Sequence, residues 1–186
     1  MRSKILLILC FVFLLSGCSG DTGPLDKALS LRDSIISSEG CSFHTQIAAD
    51  YGEKIYIFGM DCRTDRDGNL YFTVTEPATI SGITGKINGD GGAITFDDKV
   101  LAFRTMADGQ ISPVSAPWVF IRSLCGGYMK DCTGEEHNYI ISVDDCYEED
   151  ALQLRIQVDA DKPVAGEIFW QGRRVLVLTV EEFVVL

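Results

Sequence analysis

The chain has 186 residues, 27 of them acidic against 16 basic, for a formal charge of −11. That balance argues against nucleic acid as a partner, since phosphate binding needs clustered Lys and Arg and the only adjacent basic pair is Arg173 and Arg174. The length fits a single domain able to bury its own core.

Residues 1–17 read as a secretory signal: Arg2 and Lys4 are positive, Ile5 to Leu14 is an unbroken apolar run, and the small Ser16 and Gly17 precede Cys18. The run falls short of the roughly 20 apolar residues of a permanent span, so cleavage is expected. The order Leu15, Ser16, Gly17, Cys18 resembles the bacterial lipobox. That resemblance implies a diacylglyceryl thioether on Cys18, cleavage before it, and acylation of the new amino group by a chain such as palmitate. Two or three acyl chains, at about 0.8 kcal/mol per buried methylene, hold a protein on a bilayer where one would not. The alternative is an ordinary cleaved signal followed by a chance cysteine. Residues 18–23, small and polar, suit a lipidated stalk, and residues 24–186 form the domain.

Cys10 leaves with the signal and Cys18 takes the lipid, so Cys41, Cys62, Cys125, Cys132 and Cys146 remain. In an exported protein these allow two disulfides and one free thiol, or fewer bridges where oxidation is weak.

Pro24 opens an amphipathic helix through Leu25, Ala28, Leu29, Ile35 and Ile36 to about Ser38, stopped by Gly40. From Cys41 the period changes to two. Strands over 41–49 and 54–62 flank a loop in which Tyr51 and Gly52 fit a two-residue hairpin turn. In that register Cys41 opposes Cys62, Phe43 meets Met60, Thr45 meets Phe58 and Ile47 meets Tyr56. Cys41–Cys62 is the candidate disulfide, against two buried free thiols.

A turn at Asp65 to Asn69 leads to a strand over 70–75, broken by Pro77. Segments 78–87, 93–96 and 100–105, punctuated by turns at 88–92 and 97–99, continue an antiparallel meander with one apolar face to cover. Ser112 or Ser115 can cap a second helix carrying Pro117, Trp118, Ile121, Leu124 and Cys125, ended by Gly126 and Gly127. The tract 128–136 reads as irregular. Strands over 138–143 and 151–158 follow, joined by the acidic link 144–150. The chain closes with a strand over 164–170, a turn at Gln171 and Gly172, and a strand from Arg173.

The order of helix, meander, short helices and terminal strands resembles the LolA/LolB-like fold of lipoprotein carriers, shared by lipoproteins of the LppX and LprG kind. The ending from Pro163 to Phe183, with a proline before a strand, a glycine turn and a last strand closing on an aromatic, resembles the closing hairpin of that family. The resemblance implies an α+β, mainly β fold: a curved antiparallel half-barrel sheet covered by an N-terminal helix and a second short helix. It further implies an apolar or lipid ligand between sheet and helices, or in some relatives a protein partner.

Catalytic chemistry finds little to rest on. His44 reads as a solvated strand residue without an accompanying nucleophile signature. His137 with Cys125, Cys132 and Cys146 matches no compact zinc spacing, and a disulfide such as Cys125–Cys132 or Cys132–Cys146 competes with it. Asp65 to Asn69 looks like part of a calcium loop but lacks the late bidentate Glu, so it reads as a turn. Phe43, Phe58, Met60, Tyr71, Phe103, Trp118 and Phe120 are the candidate cavity lining, with ordinary core packing as the alternative. The expectation is a non-enzymatic, cofactor-free, extracytoplasmic lipoprotein, anchored to the cell membrane, that binds a hydrophobic or lipid-like ligand. The runner-up is an adaptor with a packed core that docks an envelope or spore protein.

Overall fold

The computed structural model describes residues 23–186 apart from 51, 53, 108, 109 and 136. The signal, Cys18 and all of the stalk but Gly23 lie outside the described residues.

Helix α1 spans Pro24–Ile36, with Pro24 in the first turn where its missing N–H costs nothing. Ala28, Leu31 and Ile35, at helical spacing, form its buried stripe. Then come β1 (Cys41–Asp50), β2 (Ile55–Thr64), β3 (Leu70–Glu76), β4 (Thr84–Asn88), β5 (Gly91–Phe96) and β6 (Lys99–Phe103). After a small separate hairpin of β7 (Met106–Ala107) and β8 (Gln110–Ile111), a 3-10 turn at Pro113–Ser115 leads into α2 (Ala116–Gly126). The chain ends with β9 (Tyr128–Gly134), β10 (Asn138–Asp144), β11 (Gln153–Asp159), β12 (Lys162–Trp170) and β13 (Arg173–Val185).

Eleven strands form one antiparallel sheet in the order β6-β5-β4-β3-β2-β1-β13-β12-β11-β10-β9. It is curved and open, with β6 and β9 as its edges, so the expected mainly-β half-barrel with two covering helices is the observed architecture. Two meanders, one from each half of the chain, join where β1 pairs with β13, Ala48 facing Val177 and Thr45 facing Val180. The buried Thr45 hydroxyl donates to the Thr179 carbonyl at 2.8 Å, so this seam carries no unsatisfied hydroxyl at that position.

Inward-facing positions obey the period of two: Cys41, Phe43, Thr45, Ile47 and Ala49 on β1, and Leu154, Ile156 and Val158 on β11. Helix α2 is apolar nearly all round, burying Trp118, Val119, Phe120, Ile121 and Leu124, because it packs between α1 and strands β10, β11 and β13. The Phe120 ring also comes up against Gly166 on β12, where a Cβ would lie 2.6 Å from it.

Four sequence expectations are corrected. The β1–β2 hairpin is two residues out of the expected register: Phe43 faces Cys62, Thr45 faces Met60 and Ile47 faces Phe58. Asp50 pairs with Ile55, which lengthens the loop to four positions, and the Asp50 carboxylate accepts the Gly52 N–H at 2.7 Å. Segment 78–87 is strand only from Thr84. Neither Ser112 nor Ser115 caps a helix with its hydroxyl. The tract 128–136, expected to be irregular, supplies the edge strand β9, held by β10 on one side and packed beside α1.

Candidate functional site

A cavity of about 410 Å³ opens between the C-terminal half of α1, helix α2 and the β2–β3 turn. Ile35, Trp118, Ile121 and Cys125 supply its apolar walls, and Arg66 and Arg122 stand among its polar lining. Trp118 is fixed at both ends of its ring system. Its indole N–H donates to the Gly68 carbonyl at 3.0 Å, and the Arg122 guanidinium, one helical turn on, sits 5.0 Å from the ring centroid. Arg66 is ion-paired with Glu39.

The turn that forms one wall is held by Asp65. Its carboxylate accepts the backbone N–H of Asp67 at 3.0 Å and of Asn69 at 2.9 Å, the Asn69 side-chain amide, and the Tyr71 hydroxyl at 3.1 Å. Burial works against ionisation of Asp65, and the bonds from Asn69, Tyr71 and Asp67 outweigh it, keeping its pKa below the ordinary carboxylate value. Both carboxylate oxygens are thus committed to building the turn, which accounts for the resemblance of 65–69 to part of a calcium loop.

The seven aromatic and Met residues expected to line a cavity divide three ways. Trp118 lines it. Phe43, Phe58, Met60 and Phe120 are buried in the core, with Phe43 stacked on Phe183 at 5.9 Å between centroids. Tyr71 and Phe103 lie elsewhere. Tyr71 is 42% exposed on the opposite face, since its neighbours Leu70 and Phe72 take the inward positions of β3, and its ring carries Lys86 Nζ at 5.2 Å. Phe103 is half-buried on β6, where its ring covers Gly92 so closely that a Cβ there would lie 2.2 Å from it.

All five described cysteines are free thiols. Cys41 and Cys62 share the inward face but stand diagonally, because the observed register puts Phe43 opposite Cys62. The Cys41 N–H donates to Thr64 Oγ1 at 2.8 Å, and its Sγ lies 3.3 Å from the same oxygen. Burial pushes the Cys41 thiol up to about 11, the Thr64 hydrogen bond only partly opposing it, and pushes Cys125 up to about 11 as well. Cys62, more deeply buried, is raised further for the same reason.

On the outer face His44 Nδ1 lies 2.8 Å from Asp61 Oδ1. Thr73 is cross-strand from Asp61 on β3, and the Thr75 hydroxyl and the His44 ring both approach Gly59 on β2. Among the described residues no three His, Cys, Asp or Glu side chains form a group able to hold a metal ion, and no helix is long and apolar enough to cross a membrane.

Arg32, which does not line the cavity but joins the two helices that do, is the residue that sequence reading missed. It bridges from α1 to the end of α2, and nothing in its local spacing marks it.

No protein-family model matches the chain, nor does any curated protein sequence. Among solved structures the chain is similar to a LolA superfamily protein from Nitrosomonas europaea, at 11% identity over 86% of this chain and 93% of that one, with a TM-score of 0.42. It is similar to the lipoprotein LppX of Mycobacterium tuberculosis at 14% identity over 88% and 96%, with a TM-score of 0.42. A complex of MucA and MucB from Pseudomonas aeruginosa is matched at 12% identity over 84% and 56%, with a TM-score of 0.43.

Proposed function

We propose that this chain is an extracytoplasmic lipoprotein, tethered through Cys18, that binds an apolar, lipid-like molecule in the cavity between α1, α2 and the β2–β3 turn. The reading is non-enzymatic. The observation that carries it is the cavity itself. At about 410 Å³ it falls within the range of small-molecule sites, and its walls of Ile35, Trp118, Ile121 and Cys125 offer apolar contact beside a few polar groups. The location rests on the signal pattern of residues 1–17 and the Leu15 to Cys18 sequence.

Native mass spectrometry after mild extraction, with uptake of a fluorescent fatty acid by the emptied protein, tests the reading. A bound apolar molecule, and uptake reduced by filling the cavity with Ile121→Trp, are expected. A protein that emerges empty and takes up no probe would end it. Mass analysis of the mature N-terminus tests the anchor: Cys18 carrying diacylglycerol and an added acyl chain is expected.

A second reading, an adaptor that docks a protein, is favoured by one observation: Phe43, Phe58, Met60 and Phe120 fill the interior. Retention of an envelope protein by a variant whose cavity is blocked would select it.

A further inference from the structure

The two edges of the large sheet differ in how they are finished. The β9 edge carries Lys130 and Asp131, with Lys130 ion-paired to Asp144 at 3.2 Å, and α1 packs beside it. Charge and cover are the usual protection of an edge strand. Past its first residue, Lys99, the β6 edge carries no charge. Val100 is 69% exposed, Leu101 is 67% exposed and the neighbouring Phe96 on β5 is 57% exposed, with no charged side chain between Lys99 and Arg104. No further strand of the sheet lies beyond β6 among the described residues.

The hydrogen-bonding direction of that edge follows from its hairpin. Asp97 and Asp98 both have positive φ, 48° and 60°, the signature of a two-residue turn whose flanking pair, Phe96 and Lys99, is hydrogen-bonded. Lys99, Leu101 and Phe103 therefore spend their backbone groups on β5. Val100 and Ala102 point theirs outward.

We propose that β6 pairs antiparallel with β6 of a second copy, about a two-fold axis at Leu101. In that register Val100 of one copy faces Ala102 of the other, so the outward-pointing groups meet each other in hydrogen-bonded pairs. Leu101 meets its own counterpart on the axis as a non-hydrogen-bonded pair, the spacing at which side chains come closest. The same register sets Asp98 opposite Arg104 of the other copy, twice by symmetry. This charge complementarity, together with the backbone parity, selects a second copy over an unrelated strand: an isologous interface must match itself, and this edge does. The inference does not rest on the ligand cavity, which none of the β6 residues lines.

Copper-phenanthroline oxidation of the full-length lipoprotein in its own membrane, carrying Leu101→Cys, tests it. A species of twice the monomer mass, cleaved by dithiothreitol, is expected. Its yield should be roughly tenfold above that of Lys99→Cys, whose counterpart is four residues away along the strand, about 13 Å. Asp98→Arg in the Leu101→Cys background should lower the yield roughly threefold, and adding Arg104→Asp should restore it. Wild-type protein in mild detergent should sediment as a dimer, and Val100→Glu as a monomer. Equal cross-linking at 99 and 101, cross-linking only to another protein, or a wild-type monomer with no dimer at 101 would each overturn the proposal.

Discussion

Arg32 ties the end of α2 to α1: its Nε donates to the Leu124 carbonyl at 2.7 Å and its Nη2 to the Gly127 carbonyl at 2.8 Å. The last carbonyls of a helix have no partner within the helix and carry the negative end of its dipole, so a guanidinium placed there satisfies both needs. Burial lowers the Arg32 pKa, and Cys125, Tyr147 and Asp33 act in the opposite direction. Because α1 and α2 are the walls of the cavity, this bridge also sets its width.

Arg32→Met keeps the stem and removes both bonds. A loss of about 1.5–3 kcal/mol is expected from chemical denaturation, the usual magnitude for hydrogen bonds to a charged group. Arg32→Lys, a point charge without the fork, should recover only part of that loss.

Phe120 and Gly166 should behave as a coupled pair. Gly166→Ala places a Cβ where the Phe120 ring lies and should cost about 1–3 kcal/mol by overpacking. Phe120→Ala should cost about 3–5 kcal/mol by leaving a cavity. In the double variant the added methyl enters the vacated space, so the summed costs should exceed the measured one by at least about 0.5 kcal/mol.

Trp118 is the cavity's own reporter. The chain has two tryptophans, and the other, Trp170, stands on β12. An apolar ligand should shift the emission of the wild type, and Trp118→Phe should abolish that shift while retaining most of the ring. Loss of the indole bond to Gly68 should weaken binding as well, read as a several-fold rise in Kd.

The Cys41 thiol should make stability fall with alkaline pH. Its folded pKa of about 11 lies above that of the unfolded thiol. Between roughly pH 9 and 11 the unfolded chain therefore loses a proton that the folded one keeps, and the stability present below pH 9 declines across that window. Denaturation midpoints at pH 8 and pH 10.5 should separate less for Cys41→Ala than for the wild type. Native alkylation at pH 8 should leave Cys41 and Cys62 unlabelled and denatured alkylation should label both.

What could be read from the chain was what neighbouring residues decide. The extent of α1, the turn at Asp97 and Asp98 and the closing hairpin through Gln171 and Gly172 all follow from local period and turn chemistry, but the α1 stripe does so only at Ala28 and Ile35: Leu25, Leu29 and Ile36 are exposed and Leu31 is buried instead. The β1–β2 register did not, for a definable reason. A slip of two residues leaves every side chain on the same face, so the inward set of Phe43, Thr45, Ile47, Phe58 and Met60 fits either pairing. Strand β9 escaped notice because an edge flanked by charge lacks clean alternation. The cavity was misplaced toward the sheet because its position depends on where the helices sit, and that is settled by Arg32, Gly166 and Phe120 over long separations in sequence.

The pairing of β1 with β13 places the first and last strands of the domain side by side at the centre of the sheet. Neither half can complete its hydrogen bonding until the carboxy-terminal residues are available, which makes the topology one of high contact order and slow assembly. A polypeptide threaded through an export channel amino end first would stay pliant for the whole passage and consolidate only on the far side.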